Sequence, residues 1–279
     1  MANTSDALAL YGLNKTYPQL AEYAAKVAAI NAALPIDERI QFKPTITRNA
    51  HGDMITKLGI RATNSLVSLP KDGSADDLNP ITRAEMLMAK FGGEWTEVDV
   101  KSSVPRVTYL LNHGAWLDND LDLYAAMYGK RFDSSTLRTQ YKYFFMRLYF
   151  GNSEKQIAHQ LRLTHQTDNF VKTHGKRAAI DTIGNARDSM IAAIGRSYGS
   201  EIFLHESCIY LDVFAALVKR GFRLIQIYDG FFLKGILSEE ETAEIHNIIK
   251  QCAEAYYSRH IAPLRGLEVE ARAKALRVA

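Results

Sequence analysis

The sequence predicts an α+β fold, and three observations lead there. The stretch "FRLIQIYDGFFLK", 222–234, reads as two hydrophobic strands broken at Asp229-Gly230, a strong short-range hairpin signal. Strand-like segments also lie far upstream, a Thr-rich one over 41–69 and "EWTEVDV" over 94–100. Between these and after the hairpin the chain has the composition and apolar spacing of helices. Strand, helices, then a hairpin, with the helices over one face of the sheet, is an α+β layout.

Each element has a local reason. Residues 17–34, "YPQLAEYAAKVAAINAAL", combine helical apolar spacing with alanine filling, and Pro35 ends the run. The Thr-rich strands over 41–69 turn at His51-Gly52-Asp53. "KDGSADDLNP", 71–80, is the most loop-like stretch and a candidate joint. A helix over 82–90 stops at Gly92-Gly93, and the strand after it ends on Asp99. Helices are predicted over 118–128, 135–150, 154–163 and 171–198, with Arg106 in the first part of another. A short strand over 201–204, a helix to Arg220, the hairpin and a helix over 239–257 complete the chain. No internal repeat or low-complexity tract interrupts it.

Composition bounds the function. The chain has 279 residues, 47% hydrophobic and 23% charged, which is ordinary globular composition and excludes long disorder. A net charge of +3 permits an anionic partner without demanding one. The two cysteines, Cys208 and Cys252, form no CxxC pair, and the eight histidines show no zinc spacing. No secretory leader and no long apolar run is visible, so the expectation is an intracellular, cytoplasmic protein without a membrane partner.

Three constellations could carry chemistry. In "EVDVKSSVPR" an acid ends a strand and a polar turn follows, so Asp99 and the carbonyl of Val100 could hold Mg²⁺. Plain helix capping after a strand would use the same residue types. In "RTQYKYFFMRLYFGN" Arg138, Lys142, Met146 and Phe150 recur every four residues along one helical stripe. Two cations and an aromatic on one face suit a triphosphate and a base, though a solvated basic face over an aromatic core would read the same. Third, Asp229 at a hairpin tip is a good metal ligand as well as an ordinary turn residue. Two carboxylates 130 positions apart, with a cationic helix between them in sequence, match the needs of two-metal phosphoryl transfer. Lesser features are the basic run Lys172, His174, Lys176 and Arg177, aromatics from Tyr141 to Phe145 that suit a core or a template base, and His205-Glu206, read as capping or core satisfaction.

In order and spacing these segments resemble the three motifs of family A DNA polymerases and the related single-subunit RNA polymerases. "DVKSSVPR" is similar to the first motif, an acid followed seven residues on by arginine. "RTQYKYFFMRLYFG" is similar to the second, and "IYDGFF" to the third, in which a catalytic aspartate sits at a hairpin tip. "GDMITKLGIRATNSLVSLP" resembles the segment that contacts primer-template, and "LDNDLDLYAAMYG" the short helix after the first motif. The resemblance runs from about residue 45 to 234 and implies a palm and fingers in a compact, primase-polymerase-like member. The implied divisions are a reduced thumb and palm part over 1–70, palm over 71–130, helical fingers over 131–199, and palm with a C-terminal helix over 200–279.

The resemblance implies a template-directed nucleotidyltransferase, a small DNA or RNA polymerase or primase. Asp99, Val100 and Asp229 would bind Mg²⁺ or Mn²⁺. Arg138 and Lys142 would bind the incoming nucleoside triphosphate, with Lys142 a proton donor to pyrophosphate. Met146, Phe150 and Val104 would border the nucleotide, and Arg61, Asn64, Arg106, Lys176 and Arg177 would meet a DNA or RNA template. A helicase or other replication protein is an expected partner, and a virus, plasmid or other mobile element an expected source. Departures are informative: Val104 stands where the family has a Glu that blocks ribose, and Phe150 where it usually has Tyr. Tyr228 replaces a usual His and Gly230 a usual acid. Weak sugar discrimination is the consequence for Val104 and Phe150. The alternatives are an inactive nucleic-acid-binding or assembly protein with such a fold, and a template-independent nucleotidyltransferase.

Overall fold

The computed structural model describes residues 19–48, 54–64, 83–119, 121–128, 135–163, 175–227 and 230–266. Within them the chain is mixed α and β and divides into two compact units. One is formed by residues 1–100 and 203–279, the other by 101–202.

The first unit holds the sheet. Its helix α1 (Gln19–Ala32) leads through a 3₁₀ turn (Ile36–Glu38) into β1 (Ile40–Arg48) and β2 (Met54–Asn64). Helix α2 (Arg83–Phe91) precedes β3 (Trp95–Asp99), and β4 (Leu224–Ile227) and β5 (Gly230–Lys234) form the predicted hairpin. The strand order is β1-β2-β4-β5-β3, antiparallel throughout. Among the described residues the β2–β4 junction has one registered pair, Thr63 with Ile227. Ile227 pairs with Gly230, so the glycine assigned to the turn belongs to the strand instead.

The sheet has helices against both faces of β5, not one. On one side Phe232 joins Leu87 of α2, Trp95 and Ile225 in a buried cluster. On the other, Phe231 meets the edge of Tyr210, their ring centroids 5.6 Å apart, from the helix α8 (Ile202–Lys219). A strand covered on both sides needs apolar residues at successive positions, which explains the unbroken run over 230–233, all buried. Helix α2 ends because Gly92 and Gly93 both take positive φ, 67° and 75°. Helix α9 (Glu239–His260) starts in a capping box in which Ser238 and Glu241 satisfy each other's backbone amides.

The second unit is built from α3 (Ser103–His113), α4 (Leu123–Tyr128), α5 (Ser135–Tyr149), α6 (Glu154–Leu163) and α7 (Lys176–Ile194). Tyr149 of α5 knits it: Thr108 and the Tyr198 amide bond its hydroxyl at 2.9 and 3.1 Å, and Ser197 bonds its carbonyl at 2.7 Å. Asn112 of α3 donates to the carbonyls of Ile194 and Arg196. It fits only because residue 195 is glycine, since a Cβ there would come within 2.6 Å of the Asn112 side chain.

Two predicted elements differ. The strand over 201–204 is instead a 3₁₀ turn (Gly199–Glu201) running into α8. The helix over 118–128 is shortened to α4, because the carbonyls of Leu117, Asp118, Asn119 and Leu121 turn to a buried side chain. The predicted turn at 51–53 and joint at 71–80 lie outside the described residues. Cys208 and Cys252 are both free thiols. Among the described residues no helix is long and apolar enough to cross a membrane.

Candidate functional site

The sheet brings the first acidic motif beside the third. β3 and β5 pair from Trp95–Lys234 to Asp99–Gly230, so the backbone of Asp99 lies directly across the ladder from the residue that follows Asp229 in sequence. Opposed residues on antiparallel strands have Cα atoms about 5 Å apart. Asp99 is exposed at the strand end, and Val100 is buried. Asp229 and Tyr228 lie outside the described residues. Carboxylate and carbonyl oxygens are the donors a hard divalent cation takes, so Asp99 and Val100 suit magnesium in kind. Among the described residues no three acidic, histidine or cysteine side chains cluster as a metal centre.

After β3 the backbone is strained. Ser102 has φ 58° and ψ 45°, the only positive φ outside glycine among the described residues. Its hydroxyl is buried with no hydrogen-bond partner. A side chain in the left-handed region costs on the order of 1 kcal/mol, and such residues concentrate at functional turns.

Arg106 is turned inward. It is fully buried, and its five N–H donors are all used on backbone carbonyls. Nε donates to Lys101 at 2.6 Å, Nη1 to Leu117 at 2.9 Å and to Asp118, and Nη2 to Asn119 at 3.0 Å and Leu121 at 2.6 Å. Those carbonyls are turned inward to a cation and are lost to an α-helical ladder, which is why the predicted helix starts late. The sequence expectation for Arg106 is corrected: it is an internal brace.

Arg138, Lys142 and Met146 lie on α5. Tyr141, Phe144, Phe145, Leu148 and Tyr149 are buried, whereas Lys142 is exposed and Met146 half-buried. Phe150, one residue past the helix, is 37% exposed, enough to leave part of its ring for a ligand. Arg138 is held at one edge. Its Nε donates to Asp122 Oδ2 at 2.7 Å, and its guanidinium carbon lies 5.4 Å from the centroid of the Tyr124 ring. Tyr124 is buried and packs edge-on against Phe145 at 5.6 Å. Among the described residues the Nη atoms of Arg138 make no hydrogen bond.

Asp122 was invisible as a functional residue in the sequence. It precedes α4, and its Oδ1 accepts from the amides of Tyr124 and Ala125 at 3.0 and 3.4 Å while Oδ2 takes Arg138. Burial pushes its carboxyl upward, but the Arg138 bond and the two amides outweigh that, and its pKa falls below the ordinary value. The available hint is an aspartate just ahead of the helical run "LYAAMY".

Other predicted residues are placed as follows. Arg61 and Asn64 lie on β2, opposite Lys43 and Ile40. Val104 is buried in the first turn of α3. Lys176 opens α7, with Arg177 exposed beside it, and Lys172 and His174 lie outside the described residues. His205 is buried, its Nδ1 2.8 Å from the Tyr256 hydroxyl, as core satisfaction predicts. A cavity of about 500 Å³ in the first unit, lined by Asp212, Gln251, Cys252, Ala255 and Arg259, includes none of the residues named for chemistry. The acids and Val100 belong to the first unit, and the cationic stripe to the second.

No protein-family model matches the chain, and no curated protein matches it significantly. Among solved structures it is similar to the POL domain of Pol1 from M. smegmatis, in complex with DNA primer-template and dNTP, at 16% sequence identity and a TM-score of 0.37. The similarity covers 87% of this chain and 49% of that one, so the chain spans about half the length of the chain it matches.

Proposed function

We propose that the chain is a template-directed nucleotidyltransferase, a small polymerase or primase of two-metal type. One observation supports the reading: Asp99 pairs across the ladder with Gly230, the residue that follows Asp229 in sequence, and two shared metal ligands 130 positions apart would need such a crossing. In this reading Asp99, the Val100 carbonyl and Asp229 hold Mg²⁺ or Mn²⁺. Bound there, the ions supply the charge that stabilises the attacking and leaving oxygens.

The remaining roles fall to side chains. Arg138 offers a planar fork to phosphate oxygens, and Lys142, a turn further on, offers a compact charge and a proton for departing pyrophosphate. Met146 and Phe150 border the base, and Val104 and Phe150 lie by the sugar. Neither can clash with or reward a ribose hydroxyl as the residues usual in the family do, so rNTPs and dNTPs are both used. Arg61, Asn64, Lys176 and Arg177 contact the nucleic acid, and a replication protein such as a helicase is the partner.

The test offers the protein primed template, unprimed template or bare single strand with labelled rATP or dATP and Mg²⁺. The expected result is template-dependent incorporation with either sugar, abolished in Asp99→Asn and in Asp229→Asn. Each change removes charge and keeps shape. Incorporation by a folded Asp99→Asn protein overturns the metal assignment. Binding without incorporation on any template favours the assembly-protein alternative, and incorporation that ignores the template favours a template-independent enzyme.

A further inference from the structure

We infer that Asp122 is a positioning residue that fixes the Arg138 guanidinium for an anionic phosphate ligand, and that Arg106 sets Asp122 in place. The inference rests on the reading of Arg138 as a triphosphate ligand.

The geometry is one-sided in a useful way. A guanidinium has a single Nε–H and four Nη–H donors. Asp122 takes the Nε–H alone, at 2.7 Å, and Tyr124 supports the flat face. The two terminal nitrogens are left for a ligand, and they are the pair that matches two phosphate oxygens. A long side chain otherwise loses considerable rotamer freedom on binding, so holding it beforehand favours affinity.

Asp122 is itself held from two sides. Its Oδ1 is tied to the amides of Tyr124 and Ala125, and the loop that delivers it is gripped by Arg106 through the carbonyls of Leu117, Asp118, Asn119 and Leu121. Trp116 Nε1 adds a bond to Asn119 Oδ1 at 3.2 Å. Every contact in this relay lies within residues 101–202. A carboxylate so anchored acts as a fixed strut.

The experiment uses Asp122→Asn in the full chain. Asparagine caps a helix as well as aspartate does, so α4 keeps its amide acceptor while the charged bond to Arg138 is lost. The first readout is the Nε–H resonance of Arg138 in protein labelled with ¹⁵N-arginine, without nucleotide. It should exchange slowly in wild type and rapidly in Asp122→Asn. The second is binding of inorganic tripolyphosphate by calorimetry, which should weaken about tenfold, equivalent to about 1.4 kcal/mol. In an Arg138→Ala background, Asp122→Asn should change nothing further.

Unprotected Nε–H in wild type overturns the positioning role. So does tripolyphosphate binding that is unchanged or tighter in Asp122→Asn, which would make Asp122 only a cap or a competing charge. An equal loss from Asp122→Asn with Arg138 present or absent also overturns it, because the effect would not pass through the arginine. If the resonance behaves as expected but wild type and Arg138→Ala bind tripolyphosphate alike, the strut stands and the triphosphate reading of Arg138 falls.

Discussion

The two units each bury one charged hub, and the hubs are built in opposite ways. In the first, the Asp212 carboxylate of α8 accepts from Tyr23 at 2.7 Å, from Lys26, and from Arg259 at 2.6 Å. Those donors lie on α1 and α9, up to 189 positions away in sequence. In the second, Arg106 bonds five backbone carbonyls no more than 15 positions away. One hub joins distant helices through side chains, and the other shapes a local loop through the main chain. The lesson concerns replaceability: side-chain donors at a partly exposed rim can turn to water, whereas main-chain carbonyls drawn around one buried guanidinium must refold their loop to find other donors.

The largest effect expected from this contrast is Arg106→Met. Five carbonyls, one buried and four partly buried, left without their donor should cost on the order of 4 kcal/mol, a large share of the stability of many domains. Urea unfolding should show loss of structure in helices α3 and α4 or no folded protein at all. A loss below about 1 kcal/mol would mean that the loop finds other donors and that the contrast is wrong.

The next effect is in pH, because the first hub sits close to a buried histidine. Tyr23 meets Tyr256, whose hydroxyl contacts His205. Burial, with His260 nearby, lowers the His205 pKa from 6.5 to about 4. A histidine held neutral in the fold is protonated first in the unfolded chain. Its stabilisation is whole above pH 6.5 and is lost as pH falls toward about 4, on the order of 3 kcal/mol. Melting curves should show that fall, and His205→Gln should flatten it. Hydrogen exchange should place the loss in α8 and α9, with α3 unaffected over the same window. Equal losses in both would remove the distinction.

Asp212→Asn should cost less, about 2 kcal/mol, since Lys26 and Arg259 are 25% and 48% exposed and can regain water. Denaturant midpoints would check it, and a cost equal to that of Arg106→Met would show the two hubs to be alike. The smallest effect is a gain. Ser102→Gly should stabilise the second unit by about 1 kcal/mol by relieving its left-handed backbone. A net loss in thermal unfolding would mean that the serine is favoured there by a contact beyond the backbone.

The same contrast shows what the sequence could disclose. Strand β3, the hairpin strands and helices α5, α6 and α9 follow from apolar spacing, turn residues and caps, so their bounds came within a few residues. Only the start of helix α8 hid: "IFLHESCIYLDVF" is buried almost all round and shows no periodic face, so its first residues resembled a strand. The carbonyls gathered by Arg106 hid because main-chain groups leave no mark in a sequence, and Arg106 read as a motif residue facing a template. At the candidate site the acids and the α5 stripe were legible as residue types at set spacings. Asp122 was not, because its role depends on Arg138, sixteen positions away.

The division of the chain has a consequence for synthesis. The second unit is one continuous stretch, whereas the first is split, and β3 finds β5 only across the whole of that stretch. On a ribosome, residues 101–202 emerge complete before the hairpin exists. The contacts of Arg106, Asp122 and Tyr149 are therefore available early, while the sheet waits for its last strands with an apolar face uncovered. Such long-range pairing is slow and exposes the nascent chain to misassembly. Recombinant yield should thus depend more on translation pace and temperature after residue 100 than on the final stability of the fold.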